Sequence, residues 1–232
     1  MIRVQRGLAG IEAITGAVVV IDVFRASNTI TALLAAGAAE VALLADIERA
    51  RELKKLEPER PLLGERGGVT PDDFDGGNSP ANAHALVRPG DRPILTTSAG
   101  TQAVARLRAA DTIIFGSFVN ASAVAEAIRR LECASVTMLA MGLEARTPAV
   151  EDDEAAAWIA GLLDGRTGIY REVRGRLLEC DGADRLRRLG QHDDLDFCSE
   201  LDTQSLVPVV VPGDPPRAVE LRIGYNPPTS VG

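Results

Sequence analysis

The fold is decided by the stretch AVVVIDVFRAS, residues 17–27, in which an apolar, β-branched run leads to Asp22 and a helix-like segment follows. A run of this kind predicts a buried strand. Three further apolar runs are followed by the loops GERGG (64–68), TTSAGT (96–101) and GSFVN (116–120). Each of these loops places acidic or hydroxyl side chains directly after a predicted strand.

Strand and helix patterns alternate through most of the chain. Strands are predicted at 17–23, 41–44, 61–64, 93–97, 111–115 and 135–141. Helices are predicted from a cap at Ser27 or Asn28 to 36, from a cap at Asp46 to 56, from a cap at Ser79 onward, and at 101–109, 121–131 and 151–163. Repeated βα units imply a three-layer α/β/α fold with a mainly parallel sheet covered on both faces.

The pattern changes after residue 165. Residues 166–200 predict short, charged helices. Residues 207–211 and 218–223 predict two final strands, a short C-terminal β extension, and the tail at 226–230 is predicted to fray. Because no linker separates these parts, we expect residues 1–232 to form a single α/β domain, of which 165–232 is the C-terminal part.

The composition excludes several classes of protein. A formal net charge of -8 and an aromatic content of 3% argue against a nucleic-acid partner. No apolar segment approaches the length that spans a bilayer, so we expect a cytoplasmic protein without a membrane partner. Two histidines, His84 and His192, and the scattered cysteines Cys133, Cys180 and Cys198 exclude a multi-histidine or thiolate zinc centre within one chain.

The four polar loops are candidates for one ligand site. If the apolar runs are parallel strands, their carboxyl ends meet at the sheet edge where open α/β folds bind ligands. That crevice would gather Asp22, Arg25, Glu65 and Arg66 with several hydroxyl groups. The mixture suits a hard cation such as Mg²⁺ and a doubly anionic substrate rich in oxygen. The alternative for Asp22 is an acid that only caps nearby amides.

Hydroxyl and amide groups in the other loops admit two interpretations. They bind an anion together with helix N-terminal amides, or they simply cap the helices. The residues in question are Thr97, Ser98, Gly100, Thr101, Ser117 and Asn120. Glu151 and Asp152 open a helix in the same way, where acids favour the helix dipole, although their carboxylate oxygens also suit Mg²⁺.

Five motifs follow one another in a specific order. They are DVFRAS (22–27), GERGG (64–68), FDGGNSP (74–80), GSFVNAS (116–122) and Glu151-Asp152. Together they resemble the 2-phosphosulfolactate phosphatase family of coenzyme M biosynthesis, strongly over residues 15–165 and weakly beyond. The resemblance implies a magnesium-dependent phosphatase with an α/β fold, a homodimer, that hydrolyses 2-phospho-3-sulfolactate to 3-sulfolactate and phosphate.

The resulting hypothesis assigns catalysis to Asp22, Arg25 and Glu65. We expect Mg²⁺ to be held by Asp22 and Glu65, with Glu151 or Asp152 as a further ligand. Arg25 and the amides of residues 98–101 would hold the phosphoryl oxygens. Whether Asp22 is itself phosphorylated or only binds the metal stays open.

Substrate recognition is assigned to a second set of side chains. Arg66, Asn78 and Ser79 are expected to bind the carboxylate and sulfonate, and the hydroxyl loops named above complete the substrate site. Two other functions stay open at this point. One is a phosphatase acting on another small phosphorylated 2-hydroxy acid, and the other is a small-anion-binding protein without catalysis.

Overall fold

The computed structural model describes residues 1–166 and 168–221, and its elements alternate along most of the chain. The strands are β1 Ile2–Arg6, β2 Ala17–Ile21, β3 Val41–Leu43, β4 Leu62–Gly64, β5 Ile94–Thr96, β6 Thr112–Phe115, β7 Val136–Ala140, β8 Pro208–Val211 and β9 Arg217–Glu220. The α-helices are α1 Ala26–Ala35, α2 Ile47–Leu56, α3 Ala83–Leu86, α4 Gly100–Arg106, α5 Ala121–Leu131, α6 Val150–Leu163, α7 Tyr170–Leu178, α8 Asp181–Arg188 and α9 His192–Cys198. Short 3₁₀ turns occupy Ile11–Ala13 and Phe118–Asn120.

The described strands form one sheet in the order β1-β7-β2-β6-β8-β9-β3-β5-β4. The strands β1, β7, β2 and β6 pair in parallel, as do β3, β5 and β4. The C-terminal hairpin β8–β9 lies between these two blocks through antiparallel pairings. The predicted α/β class, the mainly parallel sheet and the C-terminal strands are therefore confirmed.

Both faces of the sheet are covered. Strand β2 is buried along its whole length, as expected for a strand enclosed on two sides. Its residues Val18 and Val20 join one core cluster with α1, whereas Val19 and Ile21 join a second cluster with α5, α6 and α7. This alternation of buried side chains holds the helical layers on opposite faces.

The expectation that all four polar loops leave from one simple sheet edge is wrong. Between β6 and β3 there are three successive antiparallel pairings, so the strands of one parallel block point opposite to those of the other. The carboxyl ends of the two blocks therefore do not lie along the same edge of the sheet. The loops after β2 and β5 still meet, because the blocks share one core cluster that includes Val20, Leu43, Leu63 and Leu95. Packing across this shared core brings together the loops after β2 and β5, which the order of strands in the sheet alone would separate.

Local differences concern element boundaries and one edge strand. Strand β1 was not predicted, and its alternating polar residues place it at the sheet edge beside β7. Helix α3 begins at Ala83 and not at Pro80, so Ser79 is not its cap. Neither Ser27 nor Asn28 caps α1, which begins at Ala26.

The end of the predicted strand 218–223 and the predicted tail at 226–230 lie outside the described residues. No described helix combines the length and apolarity needed to cross a bilayer.

Candidate active site

One pocket collects side chains from the ends of β2, β4, β5 and β7 and from the C-terminal helices. Its volume is about 610 Å³ when the open space at its mouth is included. Its acidic lining residues are Asp22, Glu65, Glu144, Glu151 and Asp152. The other lining residues are Phe24, Arg25, Gly68, Asn78, Ser98, Ala99, Gly142, Leu143, Gly182, Arg185, Leu186, Leu189 and Gln191.

Asp22 lies at the end of β2 and is 8% exposed. Its Oδ1 accepts a hydrogen bond from the Ala26 amide at 3.3 Å, and its Oδ2 accepts one from the Gly100 amide at 3.1 Å. Burial raises the pKa of Asp22 from 3.8 to about 6, and the nearby charges of Glu65 and Glu151 add to this rise. Asp22 therefore both anchors the start of α1 and places a carboxylate in the pocket.

Glu151 and Asp152 lie in the first turn of α6. Asp152 Oδ1 accepts from the Val23 amide at 2.8 Å, and Oδ2 accepts from the Gly142 amide at 2.7 Å, so this carboxylate joins the loops after β2 and β7. Glu151 Oε2 contacts Cys180 Sγ at 3.3 Å. Burial raises the pKa of both acids, and for Asp152 the charges of Asp22 and Glu151 contribute further. Clustered carboxyl groups of this kind favour binding of a proton or a cation.

Glu65 joins the loop after β4 to the loop after β5. Its Oε1 accepts from the Ser98 amide at 2.7 Å, and its Oε2 accepts from the Gly68 amide at 2.7 Å and from Ser98 Oγ at 3.2 Å. These charge-assisted hydrogen bonds hold both loops in place. Glu65 and Ser98 line the pocket together, as their predicted roles require.

Arg25 is held by a residue that sequence reasoning missed. Its Nη1 donates to Asp194 Oδ2 at 2.7 Å, in an ion pair whose side chains are 5% and 3% exposed. Asp194 Oδ1 also accepts from Ser79 Oγ at 2.6 Å and from the Ala81 amide at 3.2 Å. Asp194, in α9, thus connects Arg25 to the segment that contains Ser79. Arg25, Ser79 and Asp194 also line a second pocket.

We expect Asp194→Asn to lower the free energy of unfolding by about 3–5 kcal/mol, because it leaves the buried Arg25 guanidinium without its counter-charge. Chemical denaturation checks this value. The control is Asp193→Asn, which changes the exposed neighbour in the same helix and should shift stability by less than about 0.5 kcal/mol. Equal stability changes in the two variants would mean that the Arg25 ion pair contributes nothing.

Two buried side-chain amide oxygens have no hydrogen-bond partner among the described residues. They are Oδ1 of Asn78, which is 4% exposed, and Oε1 of Gln191. Both residues line the pocket. A buried polar atom without a partner is costly unless a ligand or water satisfies it. Asn78 therefore fits its predicted substrate role, and Gln191 joins it as a residue that the sequence did not single out.

Arg66 is not among the residues that line the pocket. Its Nη1 donates to the carbonyl of Glu65 at 2.7 Å, and its Nη2 donates to Thr96 Oγ1 at 2.8 Å and to the carbonyl of Ala45 at 3.3 Å. The guanidinium group thereby joins the loop after β4 to neighbouring strands.

The remaining hydroxyl and amide residues form local contacts outside the pocket lining. Thr97 and Thr101 bond to each other around the start of α4. Ser117 and Asn120 form a reciprocal capping box at a 3₁₀ turn. Gly100 lies behind Asp22, where an added Cβ would come within 2.8 Å of the Ala26 Cβ. At these positions the contacts are hydrogen bonds within each loop and close packing.

The acidic residues fit a magnesium ion in chemistry but do not form a closed cage. Within residues 1–166 and 168–221, no three acidic, histidine or cysteine side chains are grouped as a ready-made metal site. Mg²⁺ does not need such a cage, since it commonly keeps several waters and takes one or two carboxylates together with substrate phosphate oxygens. The contacts accepted by Asp22 and Glu151, at 3.1 to 3.3 Å, are longer than the backbone hydrogen bonds accepted by Glu65 and Asp152, at 2.7 to 2.8 Å.

Comparison with known proteins agrees with these motifs. The family model described as 2-phosphosulpholactate phosphatase matches residues 7–213. A protein of Deinococcus radiodurans named probable 2-phosphosulfolactate phosphatase is 35% identical over 221 residues, covering 88% of this chain and 91% of the relative. A Prochlorococcus marinus protein of the same name is 36% identical over 213 residues, covering 82% and 87% of the two chains. The chain belongs to the 2-phosphosulfolactate phosphatase family.

Proposed function

We propose that this protein hydrolyses 2-phospho-3-sulfolactate to 3-sulfolactate and phosphate in the pocket around Asp22. The observation that carries the proposal is the convergence of Asp22, Glu65, Glu151 and Asp152 with Arg25 in one cavity. Family membership and the names of the relatives support the same reaction. In the reaction, a water oxygen bonds to phosphorus, the bond from phosphorus to the C2 oxygen breaks, and that oxygen takes up a proton.

The proposal includes one or more Mg²⁺ ions held by carboxylates of the pocket. Asp22 and Glu151 are the preferred ligands, while Glu65 and Asp152 add negative charge and hold the surrounding loops through backbone amides. Bound Mg²⁺ would neutralise charge on the phosphoryl oxygens and orient the nucleophile. Without a cation, an anionic substrate would meet a pocket in which acids outnumber bases.

The side chains of the protein position the phosphoryl group. Arg25 offers a planar guanidinium whose orientation is fixed by Asp194, so the donors not used by Asp194 can bind phosphoryl oxygens. Ser98 and Asn78 also line this pocket and offer a hydroxyl and an amide group. Donors fixed in advance stabilise the charge of the transition state without reorganising during the reaction.

A panel of phosphorylated substrates tests the proposed function. Phosphate release is measured from 2-phospho-3-sulfolactate, from other phosphorylated 2-hydroxy acids and from phenyl phosphate, with Mg²⁺ and with excess chelator. We expect the highest kcat/KM for 2-phospho-3-sulfolactate. A higher value for another acid would reassign the substrate, and the absence of any phosphate release would reduce the protein to an anion-binding role.

We expect Mg²⁺ to raise the melting temperature, and to do so more at pH 8 than at pH 5. The folded-state pKa of Asp22 is raised to about 6, so its contribution to stability is complete below pH 3.8 and is lost as the pH rises through about 6. Above that pH a bound cation offsets the buried charge, whereas at pH 5 protons compete with it. Differential scanning fluorimetry measures both shifts, and K⁺ at equal ionic strength is the control. An equal or larger shift at pH 5 would contradict binding at Asp22.

A homodimer in the cytoplasm remains part of the proposal, on the basis of the family resemblance. Light scattering after size-exclusion chromatography would then give twice the chain mass of 24.5 kDa.

A further inference from the structure

The charges that line the pocket are unevenly distributed. Five acids and two arginines, Arg25 and Arg185, surround it. Arg25 is already neutralised by its buried ion pair with Asp194 at 2.7 Å. Arg185 is therefore the lining cation that has no acidic partner within residues 1–166 and 168–221.

Arg185 lies in α8 and is half-buried beside the glycine-rich loop after β4. An added Cβ on Gly68 would lie 3.3 Å from Arg185 Nη2 and 2.9 Å from Leu189 Cδ1, so the guanidinium rests directly against this loop. The next arginine of the same helix differs, because Arg187 pairs with Asp184 at 2.8 Å. An arginine that is partly removed from water and has no acidic partner suits an anionic ligand.

The phosphoryl group accounts for only part of the negative charge on the proposed substrate. Its carboxylate and sulfonate remain, and each requires a cation or several donors when it leaves water. Arg66 does not line this pocket, and its guanidinium donates to Glu65, Thr96 and Ala45. Arg185 lines the same pocket as Arg25, and so do its neighbours in the chain Leu186 and Leu189.

We propose that Arg185 binds the second acid group of the substrate, carboxylate or sulfonate, and thereby sets the preference of the enzyme for phosphorylated acids over simple phosphate monoesters. The inference rests on the proposed function. It gives the C-terminal helical segment a direct part in recognition, because α8 places this guanidinium against a loop that begins more than a hundred residues earlier in the chain.

The test compares Arg185→Ala and Arg185→Lys with wild type on four phosphate esters. These are 2-phospho-3-sulfolactate, 2-phospholactate, which lacks the sulfonate, 2-(phosphooxy)ethanesulfonate, which lacks the carboxylate, and phenyl phosphate, which lacks both. We expect Arg185→Ala to lower kcat/KM for 2-phospho-3-sulfolactate by ~10–100-fold, chiefly through KM, and to change phenyl phosphate hydrolysis by less than about threefold. Arg185→Lys should lie between Ala and wild type, because it keeps the charge but loses the planar fork.

The matched control is Arg188→Ala, which removes an exposed arginine from the same helix outside the pocket and should change neither activity.

A loss confined to the sulfonate-containing or to the carboxylate-containing substrates supports the proposal and identifies the group that Arg185 binds. Equal losses on phenyl phosphate and on the acids overturn it, because they show a general effect on the site. If wild type hydrolyses none of the acids, the proposed function fails and the inference fails with it. If wild type is selective and Arg185→Ala keeps that selectivity, only the inference fails.

Discussion

Asp22→Asn is expected to lower kcat at least about a hundredfold. The substitution keeps the size of the side chain but removes the charge that either binds the metal or attacks phosphorus, and a loss of this order is typical when a central electrostatic group is removed. Phosphate release at saturating substrate measures the effect. Acid quenching during turnover separates the two roles, because a phosphorylated Asp22 would be trapped on wild-type protein and not on the variant.

The stability of Asp22→Asn should stay close to that of wild type, which distinguishes a chemical role from a structural one. Loss of a buried carboxylate whose pKa is raised from 3.8 to about 6 stabilises the fold at pH 8 by about 3 kcal/mol. Asparagine has one acceptor oxygen, however, so the amide of Ala26 or Gly100 loses its partner at a cost of about 1–3 kcal/mol. Wild-type turnover in a stable variant would show that Asp22 is only a cap.

Arg25→Lys is expected to have the second-largest effect, a fall in kcat/KM of roughly a hundredfold. A lysine ammonium can remain near Asp194, but it cannot also present a fixed, planar set of donors to the phosphoryl oxygens. Stability should fall less than in Asp194→Asn, since the counter-charge is kept. Steady-state kinetics and chemical denaturation measure the two effects.

The control for Arg25→Lys is Arg88→Lys, an equivalent change at an exposed position outside the pocket. It should leave both activity and stability unchanged. If Arg25→Lys keeps wild-type kcat/KM, Arg25 is a structural partner of Asp194 and does not bind the phosphoryl group.

Much of the fold could be predicted because its signals are local. The apolar run before Asp22 forms β2, and the amphipathic segment after Asp46 forms α2, whose first amides are capped by the Asp46 carboxylate. The C-terminal strands were predicted as well, but their place in the sheet was not. No local signal shows that β8 and β9 lie between β6 and β3, because that order depends on packing among distant parts of the chain.

The acidic part of the candidate site could also be predicted. Asp22, Glu65, Glu151 and Asp152 follow strands or open a helix, and the structure brings all four into one pocket. The hydroxyl loops are different, since the same residue types serve anion binding and helix capping. Ser117 and Asn120, for example, form a capping box at a 3₁₀ turn, which their residue types alone do not reveal.

The basic part of the site could not be predicted. Asp194 lies 169 positions from Arg25, and Arg185 is one of several arginines in a segment with the pattern of charged surface helices. Charge patterns along a helix identify neighbours three or four positions away but give no information about partners from other elements. The sequence predicts a substrate-binding role for Arg66 because it follows Glu65. Tertiary packing, however, places Arg185 and not Arg66 among the residues that line the pocket.

The central claim is that the acidic pocket hydrolyses a phosphate monoester with the help of Mg²⁺. Phosphorus NMR of wild-type protein with 2-phospho-3-sulfolactate tests this most directly, because it follows substrate and inorganic phosphate in one sample. With Mg²⁺ present, the substrate signal should be replaced completely by that of inorganic phosphate. Within the time that wild-type protein needs for complete conversion, the substrate signal should persist with excess chelator or with Asp22→Asn. An unchanged substrate signal in the presence of wild-type protein and Mg²⁺, or full conversion by Asp22→Asn within that same time, would contradict the account.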